Sequence, residues 1–578
     1  MGDRIIFASE AEMPYLTMSL GTTLYNKTGT WRYVRPVYHD KTPPCNHACP
    51  AGEKIQGYLD LVKEERYAAA WALLREDNPF PAVCGRVCYH PCEQSCNRIQ
   101  FDTALGIHNV EIQFDTALGI HNVERFLGDY GLEMVASGAL VPPAPKLSAP
   151  KVAVIGAGPA GLSCAYHLAR RGHGVTVFEA LPVAGGMLAV GIPNYRLPKV
   201  VLQAEISLIE ALGVEIKRNT RVGVDVTLDQ LRWAEAIFVA IGAHRSLGLG
   251  VPGDGAPGVV HGLDFLRQLA LGEKPALHGR VIVVGGGNTA MDCARSARRL
   301  GAPVTIAYRR TRAEMPAIDE EIDDALAEGV EILYLTAPRR VIVEHDRVAG
   351  LQCQKMRLGE PDASGRRQPI PIEGSEFVLE AKHVIAAIGQ ESALSVLFLP
   401  ESVQASKVGI IVDKKGETTR AGIFAGGDVA AGVAQRVVDA IGSGKRAAMA
   451  IDRYLRQAEA PVEAEPELAS FETLNLDYFA PAERVAMPQL PMAQRVAGFG
   501  EVNLGYTTAQ AVTEAERCFS CGVCNHCDNC YLFCPDVAVH RLATNGYEFD
   551  YDYCKGCGIC AEECPRNAID IAEELGKG

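Results

Sequence analysis

Seven short runs of β-branched and aliphatic residues recur through the middle of the chain, separated by stretches with helical periodicity: KVAVIGAG, GVTVFEA, AIFVAIGA, RVIVVGGG, VTIAYRR, HVIAAIG and GIFAGGD. Runs apolar on every position predict strands buried on both faces, and their alternation with helices predicts parallel, doubly wound sheets from Lys151 to about Leu455. Residues 1–145 read as mostly helical, with cysteine clusters set in Pro-rich turns, and the stretch from Val141 to Pro150 reads as a linker. Residues 456–510 are rich in Pro, Glu and Ala with little periodicity, which predicts an extended wrapping linker to a last unit at 511–578. At 578 residues the chain is too long for one core and should hold three or four domains.

Composition narrows the chemistry. A net charge of −14 argues against nucleic acid and against an anionic membrane surface, and favours small redox proteins or cationic patches as neighbours. No window reaches about 18 uninterrupted apolar residues and no N-terminal targeting segment is evident, so a cytoplasmic, non-membrane protein is expected. Of 19 cysteines, ten lie between Cys518 and Cys564. Eight of these form two copies of Cys-x2-Cys-x2-Cys-x3-Cys-Pro, at Cys524, Cys527, Cys530, Cys534 and at Cys554, Cys557, Cys560, Cys564. In this spacing three thiolates hold one [4Fe-4S] cubane and the fourth crosses to the other, so Cys564 joins the first trio and Cys534 the second. A zinc ribbon would leave four thiols unexplained. Clustered thiolates indicate a reducing compartment, and the solitary Cys164, Cys293 and Cys353 read as small buried hydrophobes.

Two glycine fingerprints follow strands and open helices. The first is Gly156, Gly158 and Gly161, with Glu179 ending the next strand 23 residues on, where it can accept from ribose hydroxyls. The second runs Gly285-Gly-Gly287-Asn288-Thr289-Ala290, and the same offset lands on Tyr308, followed by Arg309 and Arg310. Arginines in place of a ribose-binding carboxylate suit a 2′-phosphate, which assigns FAD to the first site and NADP(H) to the second. Asp428 in GIFAGGD completes the FAD reading, near the ribityl or phosphate region. The FAD-binding Rossmann domain is thus expected at 146–245 and 400–455, and the NADP(H) domain at 246–399. Residues 99–111 repeat letter for letter as 112–124, so Glu111 and Glu124 are duplicates.

Residues 45–455 resemble the small subunit of bacterial glutamate synthase and the equivalent part of dihydropyrimidine dehydrogenase. The resemblance rests on CNHACPAG, AVCGRVCYHPCEQSCN, GGMLAVGIPNYRLPK, YRRTRAEMPA and GIFAGGD. The last unit resembles a bacterial two-cluster ferredoxin. These likenesses imply an α/β multidomain protein with a helical N-terminal iron–sulfur domain, two Rossmann-type domains of glutathione-reductase-like type and a ferredoxin-like α+β domain. They imply that Arg196 contacts FAD and that Ala387 and Gly389 line the nicotinamide side. The family's Cys-x2-Cys ahead of Cys45 is missing here, and its phrase EAERCFSC stands instead at Glu514 to Cys521. Cys518 and Cys521 are therefore expected to complete a cluster with Cys45 and Cys96, while Cys49, Cys88 and Cys92 form another. Its fourth ligand is expected to be Glu124, where relatives use glutamate or glutamine, with Glu111 as the duplicate candidate and Cys84 as a substitute. The count supports four clusters; the competing reading leaves Cys518 and Cys521 unliganded and forms one N-terminal cluster, giving less iron per chain.

The expected function is electron transfer between NADP(H), FAD, [4Fe-4S] clusters and ferredoxin or a larger catalytic subunit in a hetero-oligomer. That partner would be of the glutamate synthase large-subunit or 2-oxoacid:ferredoxin oxidoreductase type. No amidotransferase or FMN barrel is present, and no side chain need act as acid or base, because the cofactors carry the chemistry. The alternative is an NADPH-sensing adaptor with structural clusters, which need not reduce its flavin.

Overall fold

The computed structural model describes Ser9 and residues 27–102, 117–141, 145–362, 365–397, 399–459, 465–543 and 546–574. The buried runs fold as their pattern predicts. One five-stranded parallel sheet has the order 423–425, 236–239, 150–155, 174–178, 215–217, and a second has the order 331–333, 304–307, 281–284, 383–386, 259–261. In each, the strand before a glycine fingerprint is central, so the helix that follows starts at the carboxyl edge of the sheet, where doubly wound folds bind ligands. The second unit also carries a three-stranded antiparallel sheet, Thr336–Glu344, Arg347–Pro361 and Arg367–Glu380, which its alternating, half-exposed pattern did not reveal as an insertion.

The helices Pro44–Ala48, Ile55–Lys63, Tyr67–Leu74, Pro81–Val87 and Ile120–Ala136 share one continuous apolar core with the first Rossmann unit. Polar contacts fix the docking: Tyr166 donates to Arg75 O at 2.6 Å, and Lys445 Nζ meets Asp77 at 2.7 Å. Glu205 accepts from the amides of Ala82 and Val83 at 2.8 and 3.1 Å, satisfying the start of the helix that carries Cys84. Gly442, in the helix Val437–Arg456, packs directly under Pro50, and a Cβ there would run into the Pro50 carbonyl.

The ferredoxin-like end is built from both termini of the described chain. Val34–Tyr38 pairs antiparallel with Ile569–Glu573, and Val539–Arg541 forms a hairpin with Tyr547–Phe549. Residues 27–38 therefore pack with the last unit. In the segment 465–510, Asn475 and Thr473 bond the 562–567 region and Arg495 reaches Asp324 at 3.1 Å. No helix among the described residues is long and apolar enough to cross a membrane. Cys164, Cys293 and Cys353 are fully buried.

Candidate functional site: a dinucleotide cavity beside four cysteine nests

A continuous cavity of about 1170 Å³ runs along the carboxyl edges of both parallel sheets. Its walls include Gly156, Gly158, Glu179, Arg196 and Asp428 on one side and Gly285, Gly287, Asn288, Thr289, Arg309, Arg310, Ala387 and Gly389 on the other. Gly161 and Ala290 lie outside the wall, in the packing behind it: a Cβ at Gly161 would strike the Gly156 carbonyl, and Ala290 is fully buried against Gly285. This is the close helix-to-strand packing that the third fingerprint position provides.

Glu179 accepts from the amides of Ala157 and Leu181, each at 2.8 Å; burial raises its pKa, and these backbone donors oppose that rise. Asp428 is pushed up to about 6 by burial and then by Asp439. Tyr308 occupies the place of the missing acid, its ring against Gly286, where any side chain would collide with it, and its hydroxyl donates to Glu314 O at 2.6 Å. Arg309 is exposed toward the cavity, whereas Arg310 is buried, paired with Asp362 at 2.7 Å and bonded to Arg367 O. Arg366, from the inserted sheet's hairpin, joins Arg309 on the wall. Arg196 is engaged by Asp292 at 2.9 Å and Glu321 at 2.6 Å, so its guanidinium ties the two Rossmann units together at the cavity.

The cysteines gather into four nests. Burial, then the charges of Cys518, Cys96 and Cys521, push the Cys45 thiol well above its usual range, so the two chain ends meet here. Asn97 Nδ2 lies 3.5 Å from Cys521 Sγ. In the second nest burial dominates again, with Glu53, Cys88 and Glu124 acting on Cys49, and Glu93, Cys88 and Cys49 acting on Cys92. Asn78 donates to both Glu53 (2.9 Å) and Glu124 (3.0 Å), and Cys84 is buried beside the same carboxylates. Glu53 is a candidate oxygen ligand that the sequence reading missed; its signal is the CPAGE run itself, four residues after Cys49. Glu111 lies outside the described residues.

The C-terminal cysteines fall into two groups. Beyond burial, Cys564 and Cys527 act on Cys524, while Cys554, Cys557 and Cys534 act on Cys560, which is pushed up to about 12. The amides of Ala538 and Ala568 approach Cys534 and Cys564 Sγ at 3.2 and 3.4 Å, repeating one geometry in both halves. The converging sulfur donors, with Glu53 and Glu124 beside one set, suit iron–sulfur clusters.

Two outcomes follow from these nests. Cys96 and Cys530 are both pushed up to about 11, chiefly by burial, so the empty protein holds its thiol protons and loading must release them. Raised thiol pKa values mean that loading strengthens as pH rises: anaerobic reconstitution at pH 9 should give more complete iron incorporation than at pH 7, and an unchanged yield contradicts this. Separately, Tyr38 Oη sits 3.2 Å from Cys530 Sγ, its ring stacked 4.6 Å from Phe549. A hydrogen bond to a ligand sulfur favours the reduced cluster. Tyr38→Phe should lower the potential of the cluster of Cys524, Cys527, Cys530 and Cys564 alone, as read by EPR-monitored redox titration.

The domain types are matched in known families. The pyridine nucleotide-disulphide oxidoreductase model matches residues 150–444, dihydropyrimidine dehydrogenase domain II (4Fe-4S cluster) matches 37–135, and a 4Fe-4S binding domain matches 547–570. The NADP(+)-dependent formate dehydrogenase subunit beta of Moorella thermoacetica is 46% identical over 518 residues, covering 83% of this chain and 70% of that protein. The NADPH-Fe(3+) oxidoreductase subunit beta of Geobacter sulfurreducens is 41% identical (83% and 75% covered), and the glutamate synthase [NADPH] small chain of Escherichia coli is 37% identical (72% and 89% covered). The chain belongs to the pyridine nucleotide-disulphide oxidoreductase family and carries iron–sulfur domains on both sides of its nucleotide-binding unit.

Proposed function

We propose that this chain is the NADP(H)-linked subunit of a larger redox enzyme, passing electrons between nicotinamide and a partner through FAD and four [4Fe-4S] clusters. The observation that carries the reading is the position of Cys88: its neighbours Val87 and Tyr89 both line the dinucleotide cavity, so one cysteine nest abuts the flavin site. From there Cys45, Cys96, Cys518 and Cys521 bridge to Cys524, three residues beyond Cys521, and so to the C-terminal pair. When bound, flavin takes hydride as two electrons and hands them on singly, and the clusters carry one at a time.

The chain's own residues bind and orient. Gly156 and Gly158 let backbone approach one pyrophosphate, with Glu179 next to the ribose and Asp428 facing the flavin end. Gly285, Gly287, Asn288 and Thr289 serve the second nucleotide, with Ala387 and Gly389 at the nicotinamide end. Arg196 positions the two units instead of reacting. Arg309 and Arg366 receive the 2′-phosphate, and Arg310 holds the inserted hairpin in place. Arg309→Ser should then cost NADPH about 2 kcal/mol, a ~30-fold fall in kcat/KM, while NADH turnover is nearly unchanged. Equal losses for both nucleotides would sink the 2′-phosphate assignment.

The relatives named as a beta subunit and a small chain support a hetero-oligomer in which a larger catalytic subunit consumes or supplies the electrons. Bleaching of flavin absorbance by NADPH under anaerobic conditions tests the enzyme reading; a nucleotide-sensing adaptor would bind NADPH and leave the flavin oxidised.

A further inference from the structure

The two halves of the ferredoxin-like unit match at an offset of 30 residues, so each position can be compared with its twin. Beside Cys564 the twin positions are Glu562, Glu563 and Asn567. All three are held by the wrapping segment: Asn475 donates to Glu562 O at 2.8 Å, Tyr478 bonds Glu563, and Asn567 donates to Thr473 at 2.7 Å. Beside Cys534 the same positions are Leu532, Phe533 and Val537, exposed by 67%, 49% and 68%. Ile559, between Cys557 and Cys560, is also exposed, while its twin Asn529 is polar and bonded to Glu563 O. Every apolar member of these pairs thus flanks a ligand of one cluster, that of Cys534, Cys554, Cys557 and Cys560.

Val537 adds an independent sign. Its φ of 51° lies in the left-handed region, where a β-branched residue is an outlier, whereas Asn567 tolerates the same conformation at 55°. An exposed valine held at conformational cost contributes nothing to this chain's own core. Around it the sequence from Cys534 to Cys560 supplies Asp536, Glu548, Asp550 and Asp552; Lys555 pairs with Asp536 and Lys27 with Asp552, while Arg541 pairs with Asp528, so Glu548 and Asp550 carry the acidic border.

We propose that Leu532, Phe533, Val537 and Ile559 form the docking face of a one-electron redox protein with an apolar contact patch ringed by basic residues, and that the cluster beneath is the exit of the chain. This rests on the electron-transfer reading above. The inner cluster, of Cys524, Cys527, Cys530 and Cys564, is flanked beside Cys564 by the chain's own segment 473–478, and relays. A partner seated there meets an apolar centre that excludes water and an acidic rim that steers it.

The test replaces the apolar face with neutral polar side chains, L532Q, F533Q and V537N, in the cluster-loaded full chain, with cytochrome c, a basic one-electron acceptor, as probe. The triple variant should reduce cytochrome c at least tenfold more slowly than the natural chain, with flavin bleaching and cluster EPR unchanged, and the natural rate should fall with added salt. Val537→Asn alone relieves the backbone and should still slow transfer, which guards against misfolding of the triple variant. Undiminished transfer in both variants overturns the proposal, as does a natural chain whose reduced clusters do not reduce cytochrome c. Repeating the comparison on dithionite-reduced protein takes NADPH out of the experiment. Natural-chain transfer that works there and fails with NADPH would count against the electron-transfer reading and leave the docking face standing.

Discussion

A chain lacking residues 27–38 is expected to lose both C-terminal clusters, about eight irons, while keeping its flavin absorbance. The segment is not a tail. Its strand pairs with Ile569–Glu573 over five residues, Gly29 N donates to Asp552 O at 2.8 Å, and Arg32 meets Glu574 at 2.7 Å from a buried position. Tyr38 packs against Cys530, Val539, Cys560 and Ile569, the small core among the C-terminal cysteines. Without it one two-stranded hairpin remains among the described residues of this unit, and isolated two-stranded ribbons are marginal in water. A single residue probes the same contact: Gly29 lies against the Tyr551 and Asp552 carbonyls, where a side chain cannot fit, so Gly29→Val should weaken the C-terminal clusters without touching a ligand. Full iron content in the deleted chain would refute the shared construction.

Replacing Cys518 and Cys521 together with alanine is expected to lower iron from about sixteen to about twelve per chain and to interrupt the path between the flavin and the C-terminal pair. NADPH should still bleach the flavin, and dithionite should still reduce the remaining clusters, but NADPH should no longer elicit the EPR signals of the C-terminal pair. The segment bearing both cysteines is held independently of any metal: Glu514, fully buried, accepts from Gly119 N and Val485 N at 2.7 Å each, and Arg98 donates to Arg517 O at 2.7 Å. The protein should therefore remain folded, which isolates the loss of one cluster. Unchanged iron would mean that the two cysteines hold none.

The features legible in the sequence were those written in local spacing. Both parallel sheets follow from short, fully apolar runs, and the cysteine ladders carry their own pairing rule. The family-like phrase around Cys518 and Cys521 suggests a link to the N-terminal cysteines, which the iron count above tests. What escaped was set by distant partners. Val34–Tyr38 contains Pro36, which a strand tolerates when its missing N–H falls on an edge, and its partner lies more than 530 residues away. Arg309 and Arg310 are neighbours with equal charge, yet Asp362 on a later hairpin claims Arg310 and places Arg366 on the cavity wall. Arg196 is drawn to Asp292 and Glu321 for the same reason: a buried guanidinium takes the nearest carboxylates, and those come from the other Rossmann unit.

The most direct test of the whole path is an anaerobic titration of the cluster-loaded chain with NADPH, following flavin absorbance and cluster EPR in the same samples, with NADH in parallel. The account predicts that NADPH, far better than NADH, bleaches the flavin and then brings up cluster signals. Flavin that stays oxidised with NADPH bound, or clusters that dithionite reduces and NADPH never does, would contradict it.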